Sequence, residues 1–141
     1  MRELTRSEKN TLTVLDTRSG SEIELYYRNP TSREEALYNA RLVKKKGAKI
    51  VIRSFDVREE FGLKILTGFR TGDFGVDGKP ISSDPNDPDY RDDWKRIVAE
   101  GASDIVRTLA LTVFEGVRVD STADIELEEA VEEEPAPLER S

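Results

Sequence analysis

The sequence predicts an α+β fold: a small antiparallel sheet of three or four strands packed against one long C-terminal helix and one shorter helix, with an acidic flexible tail. Three observations predict it. Ile23, Leu25 and Tyr27 alternate with Glu22, Glu24, Tyr26 and Arg28, the period-two pattern of a strand with one wet face. Trp94, Ile97, Val98, Ile105, Leu109 and Val113 recur at helical spacing. Acids crowd the stretch from Asp120 to Ser141, where nine of them face a single base, Arg140, for a local charge of −8. The whole chain carries −7, so the remainder is close to neutral at +1. The low isoelectric point therefore describes the tail and not the domain.

A chain of 141 residues has the size of one domain. Residues 1–119 are assigned to it and 120–141 to the acidic, disordered tail. Taken in order, a β-prone run from Leu12 to Asp16 leads through Thr17-Arg18-Ser19-Gly20 into the alternating strand, which reads as a hairpin. Asn29-Pro30 stops that strand. Thr31 or Ser32 can then cap a helix, with Glu34 and Glu35 in its favourable first turn. This shorter helix is expected to reach Lys46, with Lys44, Lys45 and Lys46 complementing its dipole and Gly47 ending it. The β-branched and aromatic content of 49–58 and 61–69 suggests two further strands joined by a turn at Arg58-Glu59-Glu60.

From Gly68 to Pro88 glycines and prolines recur without periodicity, which reads as a long loop. One continuous helix is then expected from about Tyr90 to Phe114, capped by Asp89 and ended near Gly116.

Composition removes whole classes of chemistry. With no cysteine and no histidine, the chain has no disulfide, no thiol nucleophile, no thiolate or imidazole metal site and no triad that uses imidazole as base. No run of 18 apolar residues exists and the N-terminus lacks a hydrophobic core behind its charges, so a cytoplasmic protein without membrane contact is expected. The near-neutral body offers no basic excess for displacing phosphate counterions, which argues against nucleic acid.

Several motifs reduce to bland readings. Asp73-Phe74-Gly75 matches a kinase triplet without the rest of a kinase. Gly68, Gly72 and Gly75 with Lys79 fail as a phosphate loop, because Pro80 blocks the helix that should follow. Asp84, Asp87, Asp89, Asp92 and Asp93 lack the spacing of a calcium loop and read as turn and cap residues. No metal or cofactor is expected. Trp94 and Phe114 read as core, with an anchor for another chain as the alternative.

The order of pieces resembles that of small phage and prophage tail-assembly chaperones. The resemblance rests on the segment from Tyr26 to Tyr38 (YYRNPTSREEALY), on Asp77-Gly78-Lys79-Pro80-Ile81 and on the closing amphipathic helix, with Phe69-Arg70-Thr71-Gly72 standing where a Trp-Gly turn is usual. It implies a non-enzymatic helper that binds a tail protein or its own copies. On this reading the partner-binding residues are Trp94, Ile97, Ile105, Leu109 and Phe114 on the helix, and Glu132 and Glu133 in the tail. The alternative is a small-ligand or cation-binding protein or enzyme built on loop 68–88, with Asp73, Asp77 and Asp84 as its acid groups.

Overall fold

The computed structural model describes residues 10–46, 49–52 and 54–123. The fold is α+β. Strands β1 (Asn10–Asp16) and β2 (Ser21–Tyr27) form the expected hairpin. Its turn closes through Gly20, whose positive φ of 74° suits a residue without Cβ. Asp16 braces the same turn by accepting from the Arg18 amide and the Ser19 hydroxyl.

Helix α1 (Ser32–Leu42) opens with a reciprocal capping box. The Glu34 amide donates to Thr31 Oγ1 at 3.1 Å, and the Thr31 amide donates to Glu34 Oε1 at 2.9 Å. Arg28 adds a two-pronged bond to the same carboxylate. Together the Arg28 fork and the Thr31 bonds hold the Glu34 carboxyl down to about 2.

Three expectations are corrected beyond this point. The helix ends at Leu42, and Val43–Lys46 is strand β3, paired with β4 (Lys49–Ile52) in a separate two-stranded hairpin. The three lysines therefore belong to a strand and not to the last turn of the helix. The stretch read as strand, turn and strand is mostly helix α2 (Ser54–Ile65) followed by β5 (Leu66–Phe69). Val57, Phe61 and Ile65 stand four residues apart on its buried side, a helical stripe that outweighs strand propensity. Arg58, placed in a turn by its neighbours, is an interior residue of α2 and fully buried.

The long rod is likewise two helices, α3 (Trp94–Gly101) and α4 (Ser103–Glu115), separated at Ala102 with φ −138° and ψ 42°. Asp93, not Asp89, precedes the first turn. Gly101 followed by Ser103 and Asp104 is a stop signal and then a start signal, and the apolar period runs through both. Gly116 ends α4 in the left-handed conformation, as expected.

The main sheet has the order β1-β2-β5, all antiparallel, with a bulge between Tyr26 and Tyr27. Two short strands, β6 (Gly75–Val76) and β7 (Lys79–Pro80), form a further hairpin in the long loop. One core lies between the sheet and α3–α4 and contains Ile23, Leu25, Ile65, Phe69, Ile105 and Leu109. A second lies among α1, α2 and α4 around Tyr38, Val57, Phe61 and Ala110. Among the described residues no helix is long and apolar enough to cross a membrane.

The folded body runs past residue 119. The Leu15 amide donates to the Asp120 carbonyl at 3.0 Å. Thr122 is fully buried, its hydroxyl 2.8 Å from Thr17 Oγ1 and accepting from the Thr17 amide at 3.0 Å. The segment from Val119 to Thr122 is thus stitched to the outer edge of β1.

Candidate functional site

The residues proposed to meet a partner do not share one surface. Ile105 and Leu109 point into the sheet-facing core, Leu109 with no exposure at all, so neither is open to a second molecule. Their side of α4 is covered by the chain itself.

Trp94 and Ile97 are half-buried at the start of α3, with the Trp94 ring edge-on to Phe69 at 5.7 Å. Phe114 lies at the other end of α4, about 20 Å along a 13-residue helix. It stacks on Tyr38 at 4.4 Å and meets Phe61 edge-on at 5.7 Å. Trp94 and Ile97 are thus partly open and one helical turn apart on α3. Glu132 and Glu133 lie outside the described residues.

The Phe114 end carries an ionic cluster that residue patterning did not reveal. Arg58 donates to Glu115 at 2.8 Å, and the Tyr38 hydroxyl donates to the same carboxylate. Burial first, then this bond, pushes the Tyr38 phenol far above its ordinary value. The cluster ties α1, α2 and α4 together.

The loop from Arg70 to Asp93 is not a bare glycine-rich loop. Ile81 and Ser82 are buried and act as its anchor. The Ser82 amide donates to the Asp89 carbonyl, its own carbonyl accepts from Arg91, and its hydroxyl contacts Thr71 Oγ1 at 3.0 Å. Ser83 Oγ bonds both the amide and the carbonyl of Phe69, sealing the open edge of β5. A Cβ at Gly68 would lie 2.8 Å from that oxygen, which is why the strand carries glycine there.

The three candidate acids of this loop are separated in use. Asp73 accepts from the Glu24 amide at 2.8 Å and from Arg70. Asp84 accepts from the Asn86 amide, and Asp77 occupies a turn with φ 52°. Asp84 lines an open depression of about 540 Å³ together with Tyr26, Thr67, Thr71 and Ser83. Asp77 lines a different one, of about 400 Å³, with Lys79, Tyr90 and Arg91. Among the described residues no three acids converge as a metal site would require.

Leu15 is the one large apolar side chain that is clearly exposed among the described residues, at 42%. It neighbours the stitched segment, since its amide holds Asp120. The alternation along β1, with Val14 buried, puts Leu15 on the outer face beside Thr13. Comparison with known proteins gives no match: no family model, no curated protein and no solved structure is significantly similar to the chain.

Proposed function

We propose that this chain is a non-enzymatic protein-interaction module that presents an acidic segment to a basic structural partner. The setting proposed is phage or prophage tail assembly, which rests on the resemblance in residues 26–38 and 77–81 alone. The observation that carries the reading is the fixed exit of the acid-rich chain. Thr122 and Asp120 tie the chain to β1 beside exposed Leu15, so that the 18 residues that follow in sequence, bearing a charge of −7, start from a defined point next to an apolar contact. A charged arm of this kind accelerates encounter and selects partners, while the apolar spot supplies lasting contact. The half-open Trp94 and Ile97 give a second contact.

The test is calorimetric binding of the full chain to the products of the genes that flank its own. Leu15→Ser, and Glu132→Gln with Glu133→Gln, should each weaken binding by about tenfold, and added salt should weaken it further. Trp94→Ala with Ile97→Ala should do the same if the second contact is used. Full binding by every variant sinks the reading. The hydroxyl-lined depression at Tyr26 and Ser83 favours a second reading, capture of a small polar ligand. A thermal shift of several degrees with one member of a metabolite panel, removed by Ser83→Ala, would favour it.

A further inference from the structure

The main sheet has two outer edges, and the chain covers them unequally. Along β5 the edge is sealed at Phe69, whose N–H and C=O both meet Ser83 Oγ. Along β1 it is covered at the C-terminal end, where Leu15 bridges in parallel to Ser121. Which groups of β1 point outward follows from alternation. The Arg28 amide donates to the Ile65 carbonyl and the Glu24 carbonyl accepts from Arg70, so these residues turn their backbone groups toward β5. Ile23, Leu25 and Tyr27 therefore turn theirs toward β1, where their register partners are Val14, Leu12 and Asn10. That leaves the N–H and C=O of Thr11, Thr13 and Leu15 pointing away from the sheet, and the Leu15 amide does so, donating to Asp120. Among the described residues nothing pairs with the outward groups of Thr11 and Thr13.

An edge of this kind is a template for another strand, and proteins blunt it with charge, proline or a bulge. The stretch from Asn10 to Val14 (NTLTV) has no charge and no proline, and β1 pairs with β2 without a register shift. Thr11 and Thr13 are exposed on the outer face. Leu12, on the inner face, packs against the sheet-facing core and is only partly buried.

We propose that β1 pairs antiparallel with β1 of a second copy of this chain, about a two-fold axis at Leu12, joining two three-stranded sheets into one. In that register the strand is its own complement. Thr11 stands opposite the partner's Thr13 and Thr13 opposite the partner's Thr11, so every outward N–H on either copy meets a C=O. Threonine pairs across antiparallel strands are favourable. The two Leu12 side chains meet on the inner face, each covering what the other core leaves open. A second copy fits because the two-fold axis supplies donors, acceptors and the apolar contact together, at a segment without charge although each copy carries −7. The segment 120–122, seated beside Leu15, blocks registers shifted toward the C-terminal end of β1. A contact of so few residues is small for a protein interface, so the dimer is weak and forms as concentration rises. The inference stands on the strand edge and does not depend on the function proposed above.

The full chain is followed by analytical ultracentrifugation and amide exchange from about 20 μM to about 1 mM. The sedimenting mass should rise toward that of a dimer, with exchange slowing at the Thr11 and Thr13 amides. Added salt should strengthen the dimer, because it screens two acidic bodies from each other. Thr13→Pro removes an outward N–H and no bond between β1 and β2, so it should abolish the dimer with the circular dichroism spectrum kept. A charge swap tests partner and register together. Thr11→Lys with Thr13→Lys, and Thr11→Glu with Thr13→Glu, should each stay monomeric, and their equimolar mixture should dimerise. A chain monomeric at about 1 mM, a dimer that Thr13→Pro leaves intact, or a mixture no more associated than either variant alone overturns the proposal.

Discussion

The two sides of α4 hold the protein together by different means. Toward the sheet, Ile105, Val106 and Leu109 meet Ile23, Leu25, Ile65 and Phe69 in a core made of carbon. Toward α1 and α2, Ala110 and Phe114 meet Tyr38 and Phe61, and the fully buried Arg58 reaches Glu115 through the same layer. The first side gains from burial area and tolerates small changes of shape. The second side depends on every member of a charged cluster being present, because a buried charge without its partner costs more than the pair contributes. Close to Phe114 the fold is therefore specified by chemistry, and close to Leu109 by volume.

The largest test of that contrast is Arg58→Ala, which leaves Glu115 and the Tyr38 hydroxyl without their cation. A loss of about 3–5 kcal/mol in denaturant unfolding is expected. Leu109→Ala should cost about 3 kcal/mol through its cavity alone. The combined change Arg58→Met, Glu115→Leu and Tyr38→Phe should recover most of the first loss, since apolar replacement removes both charges and the hydroxyl that donates to Glu115. A triple variant as unstable as Arg58→Ala would mean that shape rules both sides.

Next in size is Gly62→Ala at the crossing of α2 and α4. The added Cβ would stand 2.5 Å from the Val106 carbonyl oxygen and 2.8 Å from its Cγ1. One of the contacts is backbone, so the helices must separate, at a cost of about 2 kcal/mol. An unchanged midpoint would show that the two helices can slide, and the sheet side would then be the sole fixed contact of α4.

A smaller effect is tied to pH. The Arg28 fork and the Thr31 bonds lower the Glu34 carboxyl from 4.5 to about 2. A lowered folded-state value means the stabilisation is complete above about pH 4.5 and is lost as pH falls through 2. Glu34→Gln should therefore cost on the order of 1 kcal/mol at pH 7, after allowance for solvent screening of the half-buried Arg28. The difference from the parent should vanish near pH 2. A gap that persists in acid would assign the effect to the cap's shape and not to its charge.

What was legible in the residues follows the same division. The β1–β2 hairpin, the cap at Thr31 and the end of α4 at Gly116 each carry a local signal, and each lies where expected. Helix α2 did not announce itself, because Val57, Phe61 and Ile65 are equally at home in strands and the stripe is interrupted by Arg58, a residue no apolar pattern would bury. The strand at Val43–Lys46 was hidden for the converse reason: lysines favour helix, and pairing with Ile50, Val51 and Ile52 overrides that preference. For the candidate site, Leu15 was not singled out, although the alternation Leu12, Val14 against Thr13, Leu15 carries its outward position. Nothing local could show that Ile105 and Leu109 would be consumed by the chain's own sheet, since helical spacing gives a face and not what covers it.

The smallest change bears on the break at Ala102. Gly101 has no atom within 4 Å of an added Cβ and sits at the last position of α3. Gly101→Ala should therefore stabilise by about 0.5 kcal/mol, mainly by restricting the unfolded chain, opposite in sign to the same change at Gly62. If glycine caused the break, alanine would straighten α3 and α4 into one rod and shift the carbon chemical shifts at Ala102 toward helix. The packing argues otherwise. Ala102 is buried, its amide closes α3 on Val98, and its carbonyl accepts from both Ile105 and Val106 to open α4. A straight helix would also make the Val98 and Val106 bonds, so what holds the bend is the packing of Ile105 and Ala102 into the sheet-facing core, which straightening would disturb. Unchanged shifts at Ala102 with a small gain in stability are the expected pair of results, and a helical Ala102 would place the cause in glycine.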